Sequence, residues 1–324
     1  MVYKFCSYID ELLNTDYADS FLDLVALGMV ADMMDLRDFE TRHLITQGLN
    51  QIRNPYFKGM IAKQEYQLNG EITPFGVAFY IAPYVNATIR MGTQDEKLML
   101  FESMLDYRGY ELIPSTKRGC KGQQETRVEQ ACRNCTNIKN RQTKARDAAL
   151  ETIERIIKEK NLLENKILAI KLDTFAADRN LTGLIANQLM AKYQRPVLLL
   201  NKTADGWEGS GRGYDKSRFD NLREFLKESG LVMYAEGHAN ALGVGITDEW
   251  FKTFIEYSNR ELAGFDFTPC YKVDFIFNGG DFRGKDIVEI AELKSLWGQG
   301  VDEPLVAIEH INVYAGNVVL MSPD

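Results

Sequence analysis

The chain has 324 residues, 45% hydrophobic and 26% charged, with a net charge of −8 from 38 Lys and Arg against 46 Asp and Glu. That length can bury a sizeable core and hold two or three domains, and the acidic balance argues against a histone-like polyanion binder. No apolar run reaches the length of a membrane span, and Asp10 and Glu11 fall where a signal peptide needs its apolar core, so the sequence predicts a cytoplasmic protein with no membrane partner.

In chain order, residues 1–14 read as a helix with Phe5, Tyr8, Ile9 and Leu12 on one stripe. The stretch 23–36, DLVALGMVADMMDL, is almost wholly apolar; Asp23 to Ala31 is a buried strand or a short helix, and Asp32 stands just behind it. An isolated Asp there is ordinarily a helix or turn cap, the alternative being a metal ligand at the mouth of a sheet. Helices are expected over 40–52, 75–82 (ending at Pro83) and 96–105. In the segment IAPYVNATIRMG, Asn86 and Arg90 sit four apart and share a face if it is helical, an amide and a guanidinium suited to a phosphate oxygen.

A long helical stretch follows from about Glu125 to Lys160, with Ala145, Ala149, Ile153, Ile156 and Ile157 at helical spacing. Nine Lys or Arg between Lys117 and Arg146 face only Glu125 and Glu129, a stripe that could track a phosphate backbone or simply be a solvated helix face. The five cysteines (6, 120, 132, 135 and 270) form no disulfide framework and fit a reducing compartment; Cys120, Cys132 and Cys135 suggest a zinc knuckle but have no nearby fourth ligand.

Beyond residue 165 the pattern changes. Lys166 to Leu172 alternates as a strand, Leu181 to Tyr193 is helical, and Pro196 to Leu200 is a second apolar strand, which together make a right-handed βαβ crossover. Asp215 to Ser229 reads as an amphipathic helix stopped by Gly230, Leu242 to Ile246 as a strand, and Asp248 as the cap of a further helix. The last forty residues read as a loop entering β-structure. Two Gly-flanked polar turns, Gly209-Ser210-Gly211-Arg212-Gly213 and Glu236-Gly237-His238, offer backbone N–H groups together with Ser210, Arg212 and His238, a plausible phosphate cradle.

These segments carry a resemblance. DLVALGMVADMMDL is similar to the fourth metal-binding motif of the DHH phosphoesterases, in particular the RecJ-like single-strand exonucleases, and IAPYVNATIRMG looks like that family's IAPRINAAGRMG. Leu181 to Ala186 with Tyr193 to Val197, then GSGRG with EGHANALG, resemble the DHH-associated domain, and LWGQGVDEPL (296–305) looks like the entry to an OB-like domain. The resemblance implies an α/β fold: 1–112 the C-terminal remainder of a DHH domain, 113–163 a basic linker helix, 164–283 a DHH-associated α/β domain with a mixed sheet that binds substrate, and 284–324 the start of an OB-like β domain.

It further implies a 5′→3′ hydrolase of single-stranded DNA, used in DNA repair and recombination, with a two-metal Mn²⁺ or Mg²⁺ site. Asp32 would be its catalytic metal ligand. Asn86, Arg90, Gly209, Ser210, Arg212, Gly237 and His238 would bind the substrate. The family's Asp-x-Asp motif, further Asp and Asp-His-His triplet should precede Asp32, yet the thirty-one residues before it contain no His. The expectation is therefore a fragment inactive alone, with a separate polypeptide carrying the missing motifs. Two other readings stay open: a non-catalytic single-strand-binding module, and a phosphodiesterase for oligonucleotides or cyclic dinucleotides. Glu236, where the family has a glycine, sets an acid beside the proposed phosphate site.

Overall fold

A computed structural model describes residues 1–172, 181–312, 314 and 316. The chain divides into two compact units, Met1–Lys139 with Lys272–Asp324, and Asn140–Tyr271.

The first unit is built mainly of helices: α1 (Val2–Leu13), α2 (Leu22–Ala31), α3 (Phe39–Asn50), α4 (Pro55–Lys63), the single turn α5 (Glu65–Leu68), α6 (Pro74–Tyr80), α7 (Ala82–Met91), α8 (Gln94–Ser103) and the single turn α9 (Asp106–Gly109). The ambiguous apolar stretch is thus a helix. Leu, Ala and Met suit a helix interior, and Asp23 in the first turn complements the positive end of its dipole. Gly48 of α3 lets the two helices touch, since a Cβ there would lie 2.1 Å from the Leu22 carbonyl oxygen. Ala26, Leu27 and Val30 of α2 join Ile45, Tyr56, Phe57, Met60 and Ile81 in one core.

Asp23 is itself buried, and its carboxylate accepts hydrogen bonds from the backbone N–H groups of Leu24 (2.8 Å), Arg53 (2.7 Å) and Asn54 (2.6 Å), which fixes the start of α4 to α2. The expected stripe of α1 is largely exposed, with Phe5, Tyr8 and Leu12 more than half accessible. Pro83 does not end a helix: the chain breaks at Ile81 and α7 restarts with Pro83 in its first turn, where a missing N–H costs nothing. Helix α8 starts earlier than expected, on a reciprocal Thr93–Glu96 cap.

A hairpin of β1 (Leu112–Pro114) and β2 (Gln124–Thr126) leads into α10 (Arg127–Glu159), which begins in the first unit and ends in the second. Four of the nine basic residues of the stripe pair with carboxylates. Arg127 is buried and bonds to Glu102 and Glu111 (both 2.6 Å), Arg133 and Lys117 pair with the buried Glu125, and Arg146 pairs with Asp147. Cys132 and Cys135, one helical turn apart, lie inside the first core, where burial pushes the Cys132 thiol up to about 12 and raises that of Cys135. They are core residues rather than a zinc knuckle. Among the described residues no helix is long and apolar enough to cross a membrane.

The second unit carries a five-stranded mixed sheet of β3 (Leu168–Leu172), β4 (Val197–Lys202), β5 (Trp207–Arg212), β6 (Tyr234–Gly237) and β7 (Ala241–Ile246), in the order β3-β4-β5-β7-β6. β3 and β4 pair in parallel and flank α11 (Thr182–Tyr193) in sequence, as the crossover reading required; the other neighbours are antiparallel. The segment read as a Gly-flanked turn, GSGRG, is mostly the central strand β5. The expected helix from Asp215 forms only as α12 (Leu222–Ser229), because Ser217 closes a turn on the Tyr214 carbonyl and Asn221 caps the helix by accepting from Glu224 N–H (3.0 Å). Helix α13 (Asp248–Glu261) is capped by Thr247 rather than Asp248.

One sheet face is sealed by a core of Leu198, Leu200, Trp207, Leu222, Leu226, Val244 and Phe254. Strands β8 (Phe275–Asn278) and β9 (Val306–Glu309), with α14 (Gly284–Ala291) between them, pair in parallel in the first unit.

Candidate nucleic-acid interface

In the second unit, side chains alternate between the two faces of the sheet. On β5, Trp207 and Gly211 face the sealed core, and a Cβ on Gly211 would meet Leu198, Leu222 and Leu242. Glu208, Ser210 and Arg212 therefore face the other way. Their cross-strand partners on β7 are Gly245, Gly243 and Ala241, and beyond these on β6 lie Tyr234 and Glu236. Helix α11 covers this face over β4 and β5 and brings its first turn to the strand residues.

There Thr182 Oγ1 and Ser210 Oγ are 2.9 Å apart. Arg212 donates from Nη1 to the Gly211 carbonyl oxygen (2.7 Å), and its Nη2 lies so close over Gly183 that a Cβ on that glycine would sit 2.6 Å away. A guanidinium, two hydroxyls and the N–H groups of a helix start form a set of donors suited to a phosphate oxygen. Thr182 and Gly183 fall inside one of the resembling segments, yet the sequence does not single them out as site residues; their contact with Ser210 and Arg212 exists only once α11 packs on β5.

Other candidates have structural duties. At Gly209 a Cβ would lie 1.9 Å from the Leu199 carbonyl oxygen, so this glycine serves the close approach of β4 and β5. Gly237 has φ +123°, which lets β6 turn into the loop before β7, and Arg223 Nη1 donates to its carbonyl oxygen (2.6 Å). His238 is exposed; its backbone N–H donates to the carbonyl oxygen of Ala241 (3.0 Å), the residue paired with Arg212, so Arg212, Ala241 and His238 lie in one row across the sheet. Asn240, which the sequence did not single out, accepts from Leu222 N–H (3.1 Å) and donates to the Asp220 carbonyl oxygen (2.8 Å), holding this loop to α12.

The first unit holds Asp32, Asn86 and Arg90. Asp32 is the exposed C-cap residue of α2, whose last turn has no basic residue, and its side chain has no hydrogen bond or ion pair among the described residues. A carboxylate at the negative end of a helix dipole gains from a nearby cation. The support behind it is a helix, not a strand at the mouth of a sheet. Asn86 (half-buried) and Arg90 (exposed) lie one turn apart on α7, which packs against α2, and neither has a side-chain partner among the described residues. No bond joins the three.

Divalent Mg²⁺ or Mn²⁺ takes several oxygen ligands. Among the described residues no three His, Cys, Asp or Glu side chains cluster closely enough to hold a metal ion. The neighbours around Asp32 include Gly28, Met29 and Met34, which are no substitute. The described residues therefore do not fit a two-metal centre by themselves.

No family model matches the chain. Among curated proteins it is 36% identical over 322 residues to YorK of Bacillus subtilis, which carries the name of an SPβ prophage-derived single-strand DNA-specific exonuclease; the match covers 97% of this chain and 55% of YorK. The chain is a homologue of proteins named YorK and RecJ. It is 26% identical over 302 residues to the single-stranded-DNA-specific exonuclease RecJ of Bacillus subtilis, covering 90% of this chain and 35% of RecJ, and 26% identical to RecJ of Haemophilus influenzae, covering 87% and 48%. It thus spans about half the length, or less, of the RecJ-like relatives it matches. The mixed α/β fold is similar to that of RecJ from Thermus thermophilus, solved with Mn²⁺ (TM-score 0.62, 19% identity, 92% of this chain and 41% of that one) and with Mg²⁺ (TM-score 0.58, 19% identity, 91% and 42%).

Proposed function

We propose that this chain holds single-stranded DNA as part of a RecJ-like 5′→3′ exonuclease serving DNA repair and recombination. The observation that carries the proposal is the convergence of Thr182, Ser210 and Arg212 at the start of α11, on a face floored by the glycines of β7. In this reading Arg212 and Ser210 take a backbone phosphate, His238 extends the same row, and Gly209 and Gly237 shape the strands beneath. Asn86 and Arg90 contact substrate in the first unit. Asp32 is one ligand of a Mn²⁺- or Mg²⁺-dependent centre whose remaining ligands come from polypeptide outside the described residues, and no hydrolytic step is assigned to the chain alone.

The test is binding of a 5′-phosphorylated single strand to the full chain across a salt series. Binding is expected to weaken as salt rises, and Arg212→Ala to reduce affinity about tenfold with a shallower salt slope, uniformly across sequences. Binding unchanged by Arg212→Ala combined with His238→Ala would remove the interface. With Mn²⁺ present the chain alone is expected to release no nucleotide from the strand; release would show that it carries a complete centre.

A reading as a non-catalytic strand-binding module shares the same interface and is favoured by the lack of clustered ligands among the described residues. It differs in one outcome, since the exonuclease reading requires cleavage to appear when a polypeptide bearing the remaining carboxylates is supplied.

A further inference from the structure

We infer that the open sheet face takes a whole nucleotide, with the phosphate at Arg212 and the base over Tyr234, and that Glu236 makes it favour bases bearing an exocyclic amino group. This rests on the strand-binding reading above.

The register places the parts. Ser210, Gly243 and Glu236 form one row across β5, β7 and β6, and Glu208, Gly245 and Tyr234 form the next. Directly paired residues share a face, so Tyr234 and Glu236 stand on the same side as Ser210 and Arg212. With strands about 4.8 Å apart, β6 lies about 10 Å from β5, and Arg212 stands four residues, about 13 Å, along β5 from the row of Tyr234. The Tyr234 ring leans over β7 between the Gly245 and Gly243 rows, which brings it back towards Arg212 to about the length of one nucleotide.

The Tyr234 ring lies along the glycine strip. A Cβ on Gly245 would come 2.5 Å from its Cε1, and one on Gly243 would come 3.8 Å from its Cε2. The side chain is only half-buried, pairs with no other aromatic ring and has no partner for its hydroxyl among the described residues. An aromatic platform of this kind stacks any base, because every base has a π-face.

Charge gives the direction. Glu208 and Glu236 flank the ring and have no cationic partner among the described residues, and with burial they raise the Tyr234 hydroxyl above its ordinary range. Two unpaired carboxylates repel a phosphate, so the phosphate belongs at the Arg212 end and the uncharged base at the Tyr234 end. A carboxylate also accepts hydrogen bonds from a base amino group such as cytosine N4, which thymine lacks. Glu236, which stands where the resembled family has glycine, thereby acquires a role in base preference instead of obstructing the site.

The experiment measures binding of 5′-phosphorylated oligo-dC and oligo-dT to the full chain and its variants. Tyr234→Ala is expected to weaken both about tenfold, and Tyr234→Phe to bind as the original chain does. Tyr234→Leu, which keeps apolar cover over the glycines, should weaken binding nearly as much as alanine. Glu236→Gln is expected to leave oligo-dT binding in place and to shrink an oligo-dC preference of several-fold. Tyr234→Leu binding as tightly as the original, while Arg212→Ala still binds weakly, overturns the base site and leaves strand binding intact. Equal affinity for the two oligonucleotides in the original chain overturns the Glu236 role. If the original chain binds neither strand, the underlying reading falls with it.

Discussion

The two regions marked by the sequence for chemistry end in opposite conditions. In the second unit, Thr182, Ser210, Arg212 and Gly183 meet because a strand register and a packed helix leave them no other place. In the first, Asp32, Asn86 and Arg90 sit on the exposed or half-buried parts of two helices, and no hydrogen bond or ion pair engages their side chains among the described residues. A sheet interior fixes direction at every second residue, whereas a helix terminus fixes little beyond its own last turn. The contrast separates a preorganised cluster of hydrogen-bond donors from a carboxylate that stands without companions among the described residues.

The sharpest way to break this contrast is to attack the buried anchors of each unit. Asp23→Ala should destabilise the first unit by about 3 kcal/mol, because it strands the buried N–H of Asn54 and the partly buried N–H of Arg53. Denaturant unfolding measures the loss, and a change under about 1 kcal/mol would show that water replaces the carboxylate. Gly209→Ala should cost the second unit about 2 to 3 kcal/mol, since a Cβ cannot share space with the Leu199 carbonyl oxygen. Its strand binding should fall as β5 shifts, while the first unit's melting stays put.

A pH series sharpens the comparison further. Arg133, the Thr116 N–H and the Ser115 hydroxyl hold the Glu125 carboxyl down to about 2 from its ordinary 4.5. A depressed carboxyl stabilises the fold fully above its unfolded value, and that contribution is lost as pH falls from about 4.5 towards 2. Glu125→Gln should therefore flatten the fall of the unfolding midpoint in that window and change little at neutral pH beyond a constant offset; an unaltered slope would show that other carboxyls control it. The smallest effect belongs to Asp32→Asn. An exposed side chain without partners among the described residues should change stability by less than about 0.5 kcal/mol, so a larger loss would reveal a structural duty at that position.

Much of the second unit was readable along the chain. The alternation over Lys166–Leu172 and the apolar run Pro196–Leu200, on either side of the helical stretch Leu181–Tyr193, led directly to the parallel pair. The glycine-rich GSGRG misled, because glycine usually marks a turn, and here Gly209 and Gly211 serve close strand and core packing inside β5. The Asp215 helix start failed because its first turns are taken over by local Ser217 and Asn221 hydrogen bonds. The basic stripe was legible only as a count of charges: Glu102 and Glu111, which pair with Arg127, come from outside it.

By itself the sequence located the long helix and marked Ser210, Arg212 and His238 as candidates, and its family resemblance implied the α/β class of fold. The helix follows from periodicity, the candidates from glycine-flanked polar segments together with the resemblance, and a linear chain displays all of these openly. Only the tertiary structure decided that Thr182 and Gly183 lie beside Ser210 and Arg212, that Tyr234 shares the face of those strand residues, that Asp23 is the buried carboxylate while Asp32 is exposed, and that Cys132 and Cys135 are core. Each of these depends on which segments pack together and on which face a residue emerges, and those are properties of the closed fold that no single stretch of chain contains.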